Sequence, residues 1–220
     1  MKTLVIAPHP DDELLGVGGT VLRRRSEGGD VAWLIVTKMS EEDGWSPAQI
    51  ARRGKEIETA AKYFGFSSVF NLGFPPAQLD QISTGVLIQG MSDVFNKFEP
   101  EEVFVPHWCD VHSDHRIVFD AAASCSKWFR YPSVKRLLAY ETLSETDFGL
   151  VRGSEFRPNY FVDISDFLKR KIEATKLYES EFGEFPFPRS RTAIESLARI
   201  RGAASGFHAA EAFELLRERG

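Results

Sequence analysis

Leu4-Val5-Ile6-Ala7-Pro8-His9-Pro10-Asp11-Asp12-Glu13 is the stretch from which the fold is read. Its apolar start has the length and composition of a short buried strand. A helical pattern begins where it ends, at Leu14. A histidine and two adjacent carboxylates thus sit on the loop at the C-terminal end of a first strand. In open α/β sheets, ligands bind there. His9 and Asp12 can point at one metal ion. Asp11 projects differently from its neighbour, which leaves it free to handle a proton.

Outward from this stretch, apolar strands alternate with helical patterns. The first strand spans Thr3 to Ala7, and a helix from Leu14 to Glu27 is closed by Gly28-Gly29. Val31 to Val36 is a second strand. Lys38 to Ser46 is a polar loop, and Ser46-Pro47 caps a helix that runs to Phe64. Ile50, Ile57, Ala60, Ala61 and Phe64 are spaced for one buried face of that helix. Val69-Phe70 is a short third strand, Asn71 to Gln78 a loop, and Ile82 to Phe98 a helix. A fourth strand, Glu102 to Val105, is stopped by Pro106. A helix from Asp114 to Phe129 follows, then strands at Val134 to Tyr140 and Tyr160 to Val162. Asp166 to Tyr178 is helical, Phe182 to Arg191 a loop, and Ala193 to Ala204 a last helix. Ala210 to Leu216 is amphipathic, and its type is left open. This alternation predicts an α/β fold: a Rossmann-like, mostly parallel sheet with helices on both faces. Residues 1–220 are expected to form a single domain.

Composition narrows the function. The chain is 43% hydrophobic and 27% charged, as a globular protein is. Its net charge of -5, with only short basic runs such as Arg23-Arg24-Arg25, argues against a nucleic-acid binder. Two cysteines, Cys109 and Cys125, make no disulfide framework, so a reducing compartment is the default. The apolar run at the start is too short for a signal peptide, and no stretch reaches the roughly 18 apolar residues of a membrane span. The expected location is the cytoplasm. A homo-oligomer is left open.

A second stretch completes the chemistry. His112-Ser113-Asp114-His115 lies just beyond the fourth strand, at a helix start. His112 and His115 are three apart and share a face in a helical turn. Loops after strands one and four of a doubly wound sheet can flank one crevice. The two stretches together offer His9, Asp12 and His115 as a two-histidine, one-carboxylate set. Three protein ligands with a fourth position open is the pattern of catalytic zinc. Such a set would also accept Fe2+, Co2+ or Mn2+. Asp11 can accept a proton from bound water, and His112 can donate to a developing oxyanion. Asp114 can hydrogen-bond one of the histidines. Zinc lowers the pKa of bound water to about 7 and polarises a carbonyl. A general base contributes on the order of 10²–10⁴-fold, and an oxyanion donor roughly 10²–10³-fold. The assembly suits hydrolysis of an amide or ester.

These residues resemble the PIG-L/LmbE-like family of zinc-dependent de-N-acetylases. Ala7-Pro8-His9-Pro10-Asp11-Asp12-Glu13 and His112-Ser113-Asp114-His115 carry the specific part of the likeness. Weaker matches are Arg53-Gly54-Lys55-Glu56 with Ala60-Ala61 and Gly65, and Arg201-Gly202, Gly206 and Ala210-Glu211-Ala212-Phe213. The resemblance implies a Rossmann-like fold and removal of acetyl from N-acetylglucosamine units on small conjugates or lipids. It implies zinc on His9, Asp12 and His115, Asp11 as general base, and His112 as oxyanion donor and acid. Two positions depart from the family pattern. Ser113 stands where a proline is common. Ala209 stands where many members carry a tyrosine, which leaves the sugar contacts open.

Other residues admit plainer readings. His-Pro-Asp-Asp alone also reads as a turn with a helix cap, and Glu13 as a charge suited to a helix start. Gly16-Val17-Gly18-Gly19 lacks the third glycine of a dinucleotide loop, since Val21 stands there; close helix–sheet packing is the better reading. Arg53 is by composition one charge on a solvated helix face; the resemblance moves it toward the substrate. Trp45 and Trp108 sit on loops at the ligand end, where indoles stack on sugar rings or simply pack. His107 and Asp110 serve either the ligands or loop packing. Cys109 reads as a free thiol and His208 as a surface histidine. The Phe182 to Arg191 loop either covers the site or meets an acidic part of the substrate. The leading expectation is a zinc hydrolase acting on a small N-acetylated amino sugar. Its rivals are an amidase of the same chemistry on a non-sugar amide or thiol conjugate, and a metal- or sugar-binding module without turnover.

Overall fold

The computed structural model describes residues 1–150, 153 and 155–220. Seven strands form one sheet: β1 Lys2–Ala7, β2 Asp30–Thr37, β3 Ser68–Phe74, β4 Glu102–Pro106, β5 Arg136–Tyr140, β6 Tyr160–Asp163 and β7 Ala210–Glu218. Among the described residues six α-helices connect them: α1 Asp12–Ser26, α2 Pro47–Phe64, α3 Thr84–Phe98, α4 Ser113–Ser124, α5 Leu168–Ala174 and α6 Arg191–Ser205. The strand order is β3-β2-β1-β4-β5-β7-β6. The first five strands of that order pair in parallel, and β7 runs antiparallel to both β5 and β6.

The strands sort their side chains by the two-residue period of extended chain. On β1, Val5 and Ala7 join a core with α1, α2, α5 and α6, which includes Val17, Phe64, Leu168 and Ile194. Leu4 and Ile6 face the opposite core, with Met91, Phe95 and Val118 of α3 and α4. A sheet covered on both faces needs continuously apolar strands, and β4 is buried at every position.

This order reverses direction between β1 and β4, because α1 leads away from β1 on one side and α3 brings the chain back on the other. The crevice outside the carboxyl ends of those two strands is the topological switch point.

Local chemistry fixes the helix starts. Ser46 accepts from the Gln49 N–H and Gln49 answers on the Ser46 N–H, a capping box that opens α2. Two glycines let α1 lie close to its neighbours. A Cβ on Gly16 would sit 2.2 Å from the Tyr140 ring, and one on Gly19 would sit 2.7 Å from Ile164. The glycines of this helix are packing residues.

Several boundaries differ from expectation. The third strand extends to Phe74, through residues assigned to a loop, because an edge strand alternates half-buried and exposed positions and carries Asn71 and Gly73. The tail of open type is strand β7. Helix α4 ends at Ser124 rather than Phe129, and Trp128 and Phe129 are exposed. The expected helix from Asp166 to Tyr178 splits into α5 and a 3-10 turn at Thr175–Tyr178. No described helix is long and apolar enough to cross a membrane.

Candidate metal-dependent active site

His9 leaves the end of β1, and Asp12 begins α1. The Asp12 carboxylate accepts from the His9 N–H at 2.9 Å, which folds the loop back on itself. His115 comes from the first turn of α4, across the switch point. Asp12 Oδ2 lies 3.5 Å from His9 Nδ1 and 3.4 Å from His115 Nε2. The three residues offer ligand atoms that all lie within 4.8 Å of one another, so they can hold a metal ion.

Each histidine is backed by a carboxylate. His115 Nδ1 is 2.8 Å from Asp110 Oδ2, and His9 Nε2 is 3.0 Å from Asp114 Oδ2. Such pairing directs the remaining ring nitrogen toward a metal. Asp110 is held in turn by the Thr146 hydroxyl at 2.6 Å. Asp114 also accepts from the Ala77 N–H at 2.7 Å, which ties the β3–α3 loop to His9. Asp110, left open between the ligand set and loop packing, contacts His115. His107 is buried in the loop, 3.8 Å from Asp110.

The charges follow from this geometry. Burial works against the proton on His9, but Asp114 and Asp12 outweigh it and raise its pKa to about 9. His115 is likewise raised to about 10 by Asp12 and Asp110 against the cost of burial. Burial also opposes the Asp12 charge, yet His115 and His9 hold its carboxyl well below the usual range. His112 differs. Burial, then the charges of His9 and His115, push its pKa down. Its Nδ1 accepts from the Asp114 N–H at 3.1 Å, so the neutral ring carries its proton on Nε2.

Asp11 takes the N-cap position of α1, but its side chain makes no capping hydrogen bond. The plain reading of this aspartate as a cap fails. Its backbone is held at φ 123 and ψ -25, a conformation that is strained for a residue with a Cβ. Glu13 holds the turn in place. Its carboxyl is fully buried, accepts from the Asp11 N–H at 2.9 Å, and accepts from the Tyr178 hydroxyl at 2.7 Å. Glu13 therefore does more than meet a helix dipole. Burial raises its pKa to about 8. Burial and the neighbouring Asp12 charge raise Asp11 to about 7, against the pull of Arg189.

Arg189 was hidden in the Phe182 to Arg191 loop. Its Nη1 is 2.8 Å from Asp11 Oδ2, its Nη2 3.2 Å from Glu145, and its Nε 2.8 Å from the Ser144 hydroxyl. The acidic group this loop meets belongs to the protein itself. Asp11 and Arg189 stand 178 residues apart, so no local spacing could reveal the pair.

His9, Asp11 and His112 line one cavity of about 520 Å³ with Trp45, Arg53 and Arg189. Arg53 is buried, donates to the Pro10 carbonyl at 3.2 Å and pairs with Glu181. Trp108 is 41% exposed and lies outside that lining. His208 is exposed, and both cysteines are free.

Residues 4–126 match the family described as PIG-L: GlcNAc-PI de-N-acetylase. The chain belongs to the PIG-L family. Diacetylchitobiose deacetylase of Thermococcus kodakarensis is 30% identical over 96% of this chain and 81% of its own length. The probable N-acetyl-alpha-D-glucosaminyl L-malate deacetylase 2 of Bacillus anthracis is 24% identical over 81% of this chain and 80% of its own. Among solved structures, the conserved protein TT1542 from Thermus thermophilus superposes with a TM-score of 0.79 at 28% identity. That likeness covers 99% of this chain and 96% of TT1542. The PIG-L match covers both site loops and ends just beyond α4.

Proposed function

We propose that this chain is a zinc-dependent hydrolase that removes the acetyl group from an N-acetylated amino sugar of the N-acetylglucosamine type. One observation carries the reading. His9 of a two-histidine, one-carboxylate set lines the same cavity as a further carboxylate, Asp11, and an imidazole, His112. The two curated relatives bear names of sugar deacetylases, which supports the substrate class.

The donor set fits zinc. It joins two imidazole nitrogens with one carboxylate oxygen, and Asp110 and Asp114 orient the imidazoles. Bound there, zinc would activate a water and polarise the amide carbonyl. Asp11 takes the proton as the water oxygen bonds to the acyl carbon. His112 Nε2–H donates to the carbonyl oxygen as charge develops on it. The C–N bond then breaks, the amine leaves with a proton returned from Asp11, and acetate remains. Arg53 and Trp45 are the substrate contacts that this reading assigns within the cavity. Both cysteines are free, which fits a reducing cytoplasm.

The test is acetate release from N-acetylglucosamine and diacetylchitobiose by zinc-loaded protein. Asp12→Ala is expected to abolish zinc binding. Asp11→Asn is expected to keep zinc and lose turnover by on the order of 10²-fold or more. Full activity in Asp11→Asn would remove the base assignment.

A further inference from the structure

Lys171 of α5 and Glu211 of β7 form an ion pair at 2.6 Å, and both side chains are buried. The pair stands apart from the candidate site, since neither residue lines its cavity. Burying two charges costs free energy, and apolar residues of similar volume often give equal or greater stability. The contacts of the pair show what it holds instead.

Both partners reach the middle of α1. Lys171 Nζ donates to the Leu15 carbonyl at 2.8 Å. Glu211 accepts from the Gly19 N–H at 2.8 Å on one oxygen and from the Thr20 N–H at 2.7 Å on the other. In an α-helix the Leu15 carbonyl takes the Gly19 N–H. The ion pair thus engages both ends of one helical step, inside a 15-residue helix. Side chains that enter the ladder of a helix change its course.

The turn of α1 before this step carries the chemistry of the site. Asp12 is its first residue. The Leu14 and Leu15 N–H groups both donate to the Asp11 carbonyl at 3.0 Å. Two hydrogen bonds therefore lead from Lys171 to Asp11, the first onto the Leu15 carbonyl and the second from the Leu15 N–H. Behind the step, Glu211 ties Gly19 and Thr20 to β7. Ligands and reacting groups must be held to within about 0.5 Å of their working geometry.

We propose that Lys171 and Glu211 are positioning residues. By holding α1 at the step from Leu15 to Gly19, they set where its first turn presents Asp12 to the metal and Asp11 to the water. The inference rests on the metal-hydrolase reading of the site, and it gives Glu211 of the Ala210–Phe213 run a part in that reading.

The test removes both charges together. Once both side chains are apolar, the Leu15 carbonyl and the Gly19 N–H can satisfy each other within the helix. Lys171→Met/Glu211→Leu is compared with wild type by urea denaturation, by chelator competition for zinc, and by acetate release from diacetylchitobiose. The expected double variant unfolds at or above the wild-type urea midpoint. It binds zinc about tenfold or more weakly, and its kcat falls on the order of 10²-fold while KM changes little. Lys171→Met alone leaves a buried carboxylate unpaired, so it should be less stable than the double variant. Glu211 still holds Gly19 and Thr20 there, so it should bind zinc more tightly than the double variant does. A merely structural pair would rank the three proteins by stability in every measurement, and that ranking would overturn the proposal. Wild-type zinc affinity and turnover in the folded double variant would overturn it too and leave the deacetylase reading standing. A double variant that does not fold would make the pair a stability element and end the proposal. Weakened zinc binding in a stable double variant, with no acetate released even by wild type, would uphold the positioning role and remove the deacetylase reading.

Discussion

Arg189 Nη1 lies 2.8 Å from Asp11 Oδ2, and this contact joins the first loop of the sheet to a segment near the end of the chain. The same guanidinium reaches Ser144 and Glu145, so one side chain fixes three loops around the candidate base. With one carboxylate oxygen engaged by Arg189, the other is presented in a single orientation. Arg189→Gln is expected to lower kcat on the order of 10²-fold, because small misplacements of a reacting group cost that much. Zinc affinity should stay near wild type, since Arg189 touches none of the three ligands. Arg189→Lys should rescue only weakly, because a point charge cannot make the three contacts of a fork. Steady-state kinetics beside a chelator competition separate these effects. Unchanged turnover in Arg189→Gln would show that Asp11 holds itself.

Glu13 bears on the same aspartate from behind. It receives the Asp11 N–H and the Tyr178 hydroxyl, and it sits in α1 with no exposure. Removing either partner of a buried hydrogen bond leaves the other unsatisfied. Tyr178→Phe is expected to cost about 1–3 kcal/mol of stability. Glu13→Ala should cost more and also lower kcat, since nothing then holds the strained turn of Asp11. Glu13→Gln keeps an acceptor for the Asp11 N–H and should recover most of the rate. Urea denaturation and kcat, measured on the same preparations, test this. A Glu13→Ala enzyme that is destabilised yet turns over normally would mean the turn survives without it.

The site's protons make stability depend on pH in a direction that metal should reverse. With no metal bound, the folded chain holds a proton on His9 up to a pKa of about 9 and on His115 up to about 10, against an ordinary value of 6.5. Asp11 and Glu13, raised to about 7 and about 8, act in the same sense. Between pH 6.5 and 9 the folded state thus binds more protons than the unfolded one. Stability then falls as pH rises: the histidine contributions are fully present below 6.5 and are lost through about 9 for His9 and about 10 for His115, while those of Asp11 and Glu13 begin to fall from 3.8 and 4.5 and are lost through about 7 and about 8. A metal needs the imidazoles neutral, so its binding at pH 7 releases their protons. Chelator-treated protein should lose Tm from pH 6.5 to 9, whereas zinc-saturated protein should not. Calorimetry in buffers of different ionisation enthalpy should report proton release. A flat Tm in the chelated protein would contradict the placement of these charges.

What could be read without coordinates follows from the range of each interaction. His9 with Asp12, and His112 with His115, lie three residues apart, so their geometry is local and visible in spacing. Continuous apolar runs mark β1, β2 and β4, which are buried on both faces. The edge strand β3 was harder, because only every other residue faces protein and Asn71 and Gly73 look like loop. Strand β7 was of open type for another reason. Ala210 to Phe213 are buried in a strand paired with β5 and β6 and covered by α1, partners set far away in sequence. Trp128 and Phe129 extended the apparent helix α4, yet both are exposed, so their apolar character marked no buried face. Arg189 and Tyr178 escaped for the same reason as β7. Their partners lie 178 and 165 residues away.

Asp110 offers the cleanest separation of metal binding from folding and catalysis. Its Oδ2 accepts from His115 Nδ1 at 2.8 Å and its Oδ1 from the Thr146 hydroxyl at 2.6 Å, with the side chain fully buried. This pair fixes which ring nitrogen of His115 faces Asp12. Asp110→Asn keeps the shape and removes the charge. An amide turned to donate toward His115 would favour the wrong tautomer, with the proton on Nε2. The expected outcome is a 10–100-fold loss of metal affinity in a folded protein. Thr146→Val removes the hydrogen bond that holds Asp110, along with the one its hydroxyl accepts from the Thr142 N–H, and should cost less metal affinity. Competition against a chromogenic chelator measures both. Metal bound at saturating concentration should restore much of the Asp110→Asn turnover, because Asp11, His112 and the cavity are untouched. A variant that binds zinc at full strength would show that the Asp12 contact alone orients His115.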